Sequence, residues 1–230
     1  MTDTDPADAA AAASVSPRPR WWVYVLVAVG IAALAFAIGR FSTFASAGSA
    51  AAGPNAADVG FARDMQVHHT QAIEMAMEIY RKTEDDDVRR MSYDISTSQA
   101  GQRGEMYGWI VEWGLPQSGD PLMSWMTDAG GHGGHGATSE SPTEEELRVA
   151  MGMASADELA ALADASGTDA DCLFLELMIR HHQGAIPMAD AVIELGSVPR
   201  VLAVAESMKA GQTAEIDAMT SVQAQLGCAL

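Results

Sequence analysis

Two segments of this chain set imidazole and thioether side chains at helical spacing. Phe61 to Ala76 reads FARDMQVHHTQAIEMA and Phe174 to Ala189 reads FLELMIRHHQGAIPMA, identical at eight of sixteen positions without a gap. Unrelated segments of ordinary composition would share about one position, so the two are copies of one unit. Four of the six histidines lie in these copies, as the doublets His68-His69 and His181-His182. Wound at about 100° per residue, Phe61, Met65, His68, His69, Ala72, Met75 and Ala76 fall within an arc of about 120°, the width of a core-facing stripe. Met178, His181, His182, Ala185, Met188 and Ala189 repeat the pattern. A single buried histidine is usually a hydrogen-bonded core residue, and methionine at this spacing is usually packing. Two doublets in one setting, beside thioethers and small alanines that leave room for something else, point instead to metal coordination.

The neighbouring residues select the metal. Di-iron and di-manganese bundles carry Glu three residues before His, which puts carboxylate and imidazole on one helical face. Here those positions hold Met65 and Met178. Thioethers in place of carboxylates disfavour hard iron or manganese and favour Cu(I), with Cu(II) through the imidazoles; zinc on imidazole ligands is the alternative. No Ser-His-Asp order, phosphate-cradling glycine loop or paired-carboxylate motif rises above background.

The elements that must hold these residues follow from punctuation. The spacing predicts a first helix from about Asp58 to Lys82, ended by the charged TEDDD turn, and a second, capped by Asp86 or Asp87, reaching Trp113 before Gly114 and Pro116. A third runs from about Asp171 to Leu195. Gly196 is its expected C-cap and Ser197 the next N-cap, with Pro199 in the first turn of a fourth helix that reaches Leu226. A second echo, Ala100-Gly101-Gln102 with Glu105 against Ala210-Gly211-Gln212 with Glu215, lies at 110 residues instead of 113, as if the second turn had lost three residues. Each repeat is thus a helical hairpin, residues 58–113 and 169–226, and neither buries its apolar face alone. The expected fold is all-α, a four-helix bundle with residues 114–168 as connector, in which Ser155 and Glu158 form a capping box for a short helix to about Ala165.

Ahead of this domain (58–226) the chain has a polar tail to about residue 17, too poor in large side chains to order itself. Trp21 to Gly39 then carries no charge and is flanked by Arg18, Arg20 and Arg40, with Trp21, Trp22 and Tyr24 suited to an interface. Its length matches a bilayer core of about 30 Å, so residues 21–41 are read as a transmembrane helix and 42–57 as a Gly/Ala/Ser linker. A cleaved signal peptide with its site near Ala45-Ser46-Ala47 is the rival reading. Two arginines before the span against one after it put the N-terminus in the cytoplasm. Residues 41–230 hold ten bases against 28 acids, the whole net charge of −18, so the acidic domain lies outside the cytoplasm and nucleic-acid binding is excluded.

The twin M-x-x-H-H-x-x-A-I-x-M-A motifs, the Q-x-x-E of each following helix, and Met151-Gly152-Met153 leading to Glu158-Leu159-Ala160-Ala161-Leu162 resemble the bacterial family called domain of unknown function 305, over about Asp58 to Leu226. The resemblance implies a ferritin-like four-helix bundle and, for extracytoplasmic members, copper binding. It implies Met65, His68, His69 and Met75, with Met178, His181, His182 and Met188, as metal ligands. Pro187 stands where Glu is common in similar sequences; it removes the bond to the Gln183 carbonyl at about 3 kcal/mol in a regular helix. With Gly184 adding local freedom, a bend is expected there. The function expected is that of a membrane-anchored extracytoplasmic copper-binding protein acting in sequestration or handover, not an enzyme, with a homo-oligomer left open. A metal-dependent oxidoreductase on the same site, or a pH-responsive interaction module without metal, are the alternatives.

Two features stand apart from the repeats. Met123, Trp125, Met126, His132 and His135 lie in a Gly-rich stretch that reads either as a metal-capturing loop or as a solvated linker. Cys172 and Cys228 fall at the same end of the second hairpin, where they are either bridged or, with unequal arms, left as a buried and a frayed thiol.

Overall fold

A computed structural model of the chain describes residues 53–129 and 142–228. The expected transmembrane segment 21–41, the tail, most of the linker, and His132 and His135 lie outside the described residues. Among those residues there is no strand, and no helix is long and apolar enough to cross a membrane.

Four long helices carry the domain: α1 (Ala56–Lys82), α2 (Asp86–Glu112), α5 (Gly167–Leu195) and α6 (Pro199–Leu226). Between the pairs lie a 3-10 turn (Ser124–Ala129) and two short helices, α3 (Glu144–Ala150) and α4 (Ala156–Asp164). α1 packs along α2 and α5 along α6, while the closest backbone approach between the hairpins is made by α1 and α5. The fold is therefore a helical bundle with the two His-bearing helices at its centre. That placement follows from the sequence, because all seven residues of the first predicted stripe are buried, as are their partners in the second.

The helix ends show where local rules suffice. Thr143 with Glu146, and Ser155 with Glu158, close capping boxes at the starts of α3 and α4. Asp85, one residue earlier than expected, caps α2 by accepting from the amides of Asp87 and Val88. Asn55 and Asp58 form the box of α1, which starts at Ala56 and so shortens the expected linker.

Elsewhere a partner distant in sequence takes over. Ser197 is not the cap of α6; the cap position is Val198, which has no side-chain acceptor. Asp58 supplies it from α1, accepting from the Ser197 amide (3.1 Å), the Ser197 hydroxyl (2.7 Å) and the Val198 amide (3.2 Å). The Asn55 side-chain amide donates to the Leu195 carbonyl at 2.7 Å. One pair of residues thus satisfies the orphan groups at the end of α5 and the start of α6. Gly196 is needed here, since a Cβ would come within 2.8 Å of the Asp58 carboxylate.

Pro187 does not interrupt α5, which continues to Leu195. The proline sits on an exposed position, as does Gln183, whose carbonyl loses its helical donor, so solvent can satisfy that carbonyl. Gly184 is present for a different reason than freedom: a Cβ there would overlap the Met151 carbonyl and lie 2.7 Å from the Gly152 amide. The connector crosses α5 at this glycine, with Gly152 itself in the left-handed region at φ +75°. Its other side is clasped by Gln71 of α1, whose amide accepts from the Ala154 N–H (2.7 Å) and donates to the Ala154 carbonyl (2.8 Å).

The two cysteines are bridged, with Cα atoms 5.5 Å apart, tying the beginning of α5 to the residue just past α6. Trp125 is buried in the core, edge-on to Phe61 and over Gly60. Its indole N–H and the Met123 amide both donate to Asp64, at 2.9 and 2.7 Å. This part of the Gly-rich stretch is a plug locked onto α1, which the capture-loop reading does not account for. Burial pushes the Asp64 carboxyl up to about 6, against the lowering effect of those two bonds.

Candidate metal centre

His68 of α1 and His181 of α5 meet at the middle of the bundle, their rings stacked with centroids 3.6 Å apart and planes 32° from parallel. The alanines that flank them let the two helices close until the imidazoles touch. Two surface grooves, one lined by Arg63, Gln66, Thr70, Arg103, Tyr107 and Gln117 and the other by residues around Asp64 and Trp125, do not reach a histidine. All four imidazoles are fully buried.

Each ring has one nitrogen occupied and one bare. His68 Nε2 lies 3.0 Å from the Met151 carbonyl and His181 Nε2 3.1 Å from the His68 carbonyl. His182 Nε2 lies 2.6 Å from a Glu215 carboxylate oxygen, and His69 Nε2 2.8 Å from Gln102 Oε1. Carbonyl and carboxylate oxygens only accept, so these ring nitrogens carry the proton. In a neutral ring Nδ1 is then an unprotonated lone pair, and all four Nδ1 atoms are buried without a hydrogen-bond partner. Burial holds His68 down to about 3, with the neighbouring His69 adding to the effect, and holds His69 down to about 4. His181 is lowered well below the usual range, by burial first and then by His68. Neutral imidazole, the form that ligates a metal, is thus the stable form of these three at neutral pH.

All eight sequence-derived ligand candidates are buried, but the structure groups them across the repeats. Met65 shares one core cluster with Met188, and Met75 shares the other with Met178. Ten residues of helix separate Met65 from Met75 by about 15 Å, so one ion cannot take both. The first cluster also holds Met106, Met151, Met153 and Met208, and the second Met219. Among the described residues no three His, Cys, Asp or Glu side chains gather as a cage. An ion held on these histidines would have to look to sulfur to complete its shell, which would suit a soft cation and not a hard one. The donor set fits copper: a ligating imidazole ordinarily gives its other N–H to a carboxylate, carbonyl or similar oxygen, as each does here.

Gln102 and Glu215 were within reach of the sequence but were set in the wrong register. In the structure each follows its histidine by 33 residues, His69 to Gln102 and His182 to Glu215. The copies are therefore offset by the same 113 residues that separate His68 from His181, and neither turn has lost residues. The Ala-Gly-Gln echo at 110 residues is a coincidence one helical turn out of phase. True equivalents at the uniform offset are Gln99 and Gln212, both buried with neither amide atom of either side chain bonded.

No curated protein matches the sequence. Among solved structures, a DUF305 protein of Streptomyces coelicolor, described as a candidate secreted protein, is 38% identical over 74% of this chain and 92% of its own, with a TM-score of 0.63. A DUF305 fragment from Deinococcus radiodurans is 30% identical over 75% of this chain and 97% of its own, with a TM-score of 0.60. CopM in its Cu(II)-bound form is 28% identical over 73% and 96%, with a TM-score of 0.53; CopM is also known in Cu(I)-bound, Ag-bound and apo forms. Residues 58–223 match the domain of unknown function DUF305, the span that holds both hairpins and every histidine of the centre, and the chain is a member of that family.

Proposed function

We propose that this protein is a membrane-anchored, extracytoplasmic copper-binding protein that sequesters copper or hands it on, using a ferritin-like bundle as a scaffold and performing no turnover. The observation that carries this reading is the set of four buried Nδ1 atoms without a hydrogen-bond partner, each imidazole already held through Nε2, in a core that also holds buried thioethers. A bare acceptor buried without a partner costs about 1–3 kcal/mol, and a bound cation repays it. Thioether sulfur alongside imidazole favours copper over zinc, whose closed sites want four nitrogen or sulfur ligands with Cys or His predominating. The copper-bound forms of CopM and the candidate secreted protein from Streptomyces support the metal and the compartment. The uncharged span from Trp21 to Gly39 supports the anchor.

Full-length protein in detergent, loaded with copper under reductant and dialysed, should retain the metal. His68→Ala with His69→Ala should lower the retained copper, and adding His181→Ala with His182→Ala should abolish it. A helical quadruple variant that keeps the wild-type copper content refutes the site, and a wild-type protein that keeps none refutes the metal.

A further inference from the structure

The two halves of the centre are related residue by residue at a constant offset, and this makes their differences informative. Where repeat 1 supports His69 with the neutral amide of Gln102, repeat 2 supports His182 with the carboxylate of Glu215, at 2.8 and 2.6 Å. The next residue differs as well. Arg103 stands beside Gln102 and its charge acts on His69, whereas the equivalent position beside Glu215 is Ile216. Arg103 makes no ion pair among the described residues; its guanidinium donates to the Thr70 hydroxyl at 3.3 Å. Arg180, next to the second doublet in sequence, is paired with Glu158 through bonds of 2.7 and 2.6 Å. The His69 half thus has a neutral support next to a positive charge, and the His182 half a negatively charged support next to an apolar residue.

We propose that the two half-sites are unequal, and that Glu215 makes the His182 half the tighter cation site while Gln102 and Arg103 make the His69 half the weaker, releasing one. This rests on the copper reading above. Two physical effects act in the same direction. A carboxylate accepting from Nε2–H makes the Nδ1 lone pair a stronger donor and offsets the charge of a bound cation, whereas Arg103 opposes it. A carboxylate can only accept, so His182 is locked with its proton on Nε2. The Gln102 amide turns its oxygen to His69 but can rotate to present its NH₂ group, so the tautomer that bares Nδ1 is held less firmly at His69 than at His182. Gln102 and Glu215 are positioning residues: they touch the imidazole and not the ion.

The test uses full-length protein in detergent as wild type, Glu215→Gln, Gln102→Glu and the double exchange. Cu(I) is titrated in competition with bicinchoninate, and ¹⁵N spectra of the histidine side chains are recorded before and during loading. Wild type should show two affinities, with the His182 resonances responding first. Glu215→Gln should weaken the tighter step roughly 10- to 100-fold, the usual cost of losing such a support. Gln102→Glu should tighten the weaker step, and the double exchange should make the His69 resonances respond first. In the metal-free protein, His182 should show a single tautomer protonated on Nε2, and Glu215→Gln should mix it. Two equal steps, an unchanged isotherm in Glu215→Gln, or a metal-free His182 protonated on Nδ1 would each overturn the inequality and leave the copper reading standing. A wild type that takes up no Cu(I) overturns the copper reading itself.

Discussion

Gly184→Ala is the substitution that most directly tests how the connector supports the centre. The new Cβ would overlap the Met151 carbonyl and sit 2.7 Å from the Gly152 nitrogen. Neither group can retreat freely. The carbonyl is the acceptor for His68 Nε2 at 3.0 Å, and the chain just beyond is clasped by Gln71 at both polar atoms of Ala154. Forcing a methyl into this contact costs about 1–3 kcal/mol. If the carbonyl moves away, His68 is left with a buried, unpaired N–H at a further cost of about 1–3 kcal/mol. The gain in helix propensity from glycine to alanine returns only about 1 kcal/mol. Destabilisation of roughly 1–5 kcal/mol is therefore expected, with loss of the hydrogen-bonded Nε2 signature of His68 in ¹⁵N spectra. Gly101→Ala is the matched control, because Gly101 lies on an exposed face of α2 with nothing within 4 Å of its added Cβ. It should stabilise by roughly 0.5–1 kcal/mol. Urea unfolding of the full-length variants, followed by circular dichroism, measures both. Equal signs for the two substitutions, or a Gly184→Ala protein within 0.5 kcal/mol of wild type, would refute the docking argument.

Two further outcomes follow from the burial of the histidines and from the bridge. The imidazoles of His68 and His69 are held down to about 3 and about 4, and His181 is lowered as well, against about 6.5 in an unfolded chain. Below pH 6.5 the unfolded chain binds protons that the folded one refuses, so the stability present at neutral pH is lost as pH falls. The slope is about 1.4 kcal/mol per pH unit for each such histidine down to the folded values. Urea midpoints of the metal-free protein between pH 7.5 and 5 should fall accordingly, and a flat profile would contradict the buried neutral rings. Cys172→Ser opens a bridge between residues 56 apart in sequence, which in the chain-entropy model removes about 4 kcal/mol. For a domain of this size that is a fall in Tm of roughly 10 °C, and a shift under about 2 °C would show that the bridge adds little.

What the amino-acid order determined alone is what depends on neighbours along the chain. The repeat, the core stripe of Met, His and Ala, the hairpin turns and the capping box at Ser155 all arise from contacts spanning a few residues, and the order of residues exposes them. The soft character of the centre was equally local, since Met65 and Met178 replace the carboxylates three positions before each doublet. Spacing also placed both cysteines at one end of the second hairpin, and packing then settled that they are joined.

Tertiary structure alone decided which copies of the pattern meet. Met65 shares a core cluster with Met188 and Met75 shares one with Met178, because antiparallel helices crossing at His68 and His181 bring the start of one stripe to the end of the other. No reading of one stripe contains that pairing. The equivalence of Gln102 with Glu215 was hidden by a better-looking match one turn away, and only the hydrogen bonds to His69 and His182 set the register. Asp58 capping α6, and Gly184 yielding to the Met151 carbonyl, involve partners far apart in the chain. A helix exposes its periodicity to local inspection, whereas a buried polar atom finds its partner only when the whole chain has closed around it, and in this protein those partners define the centre.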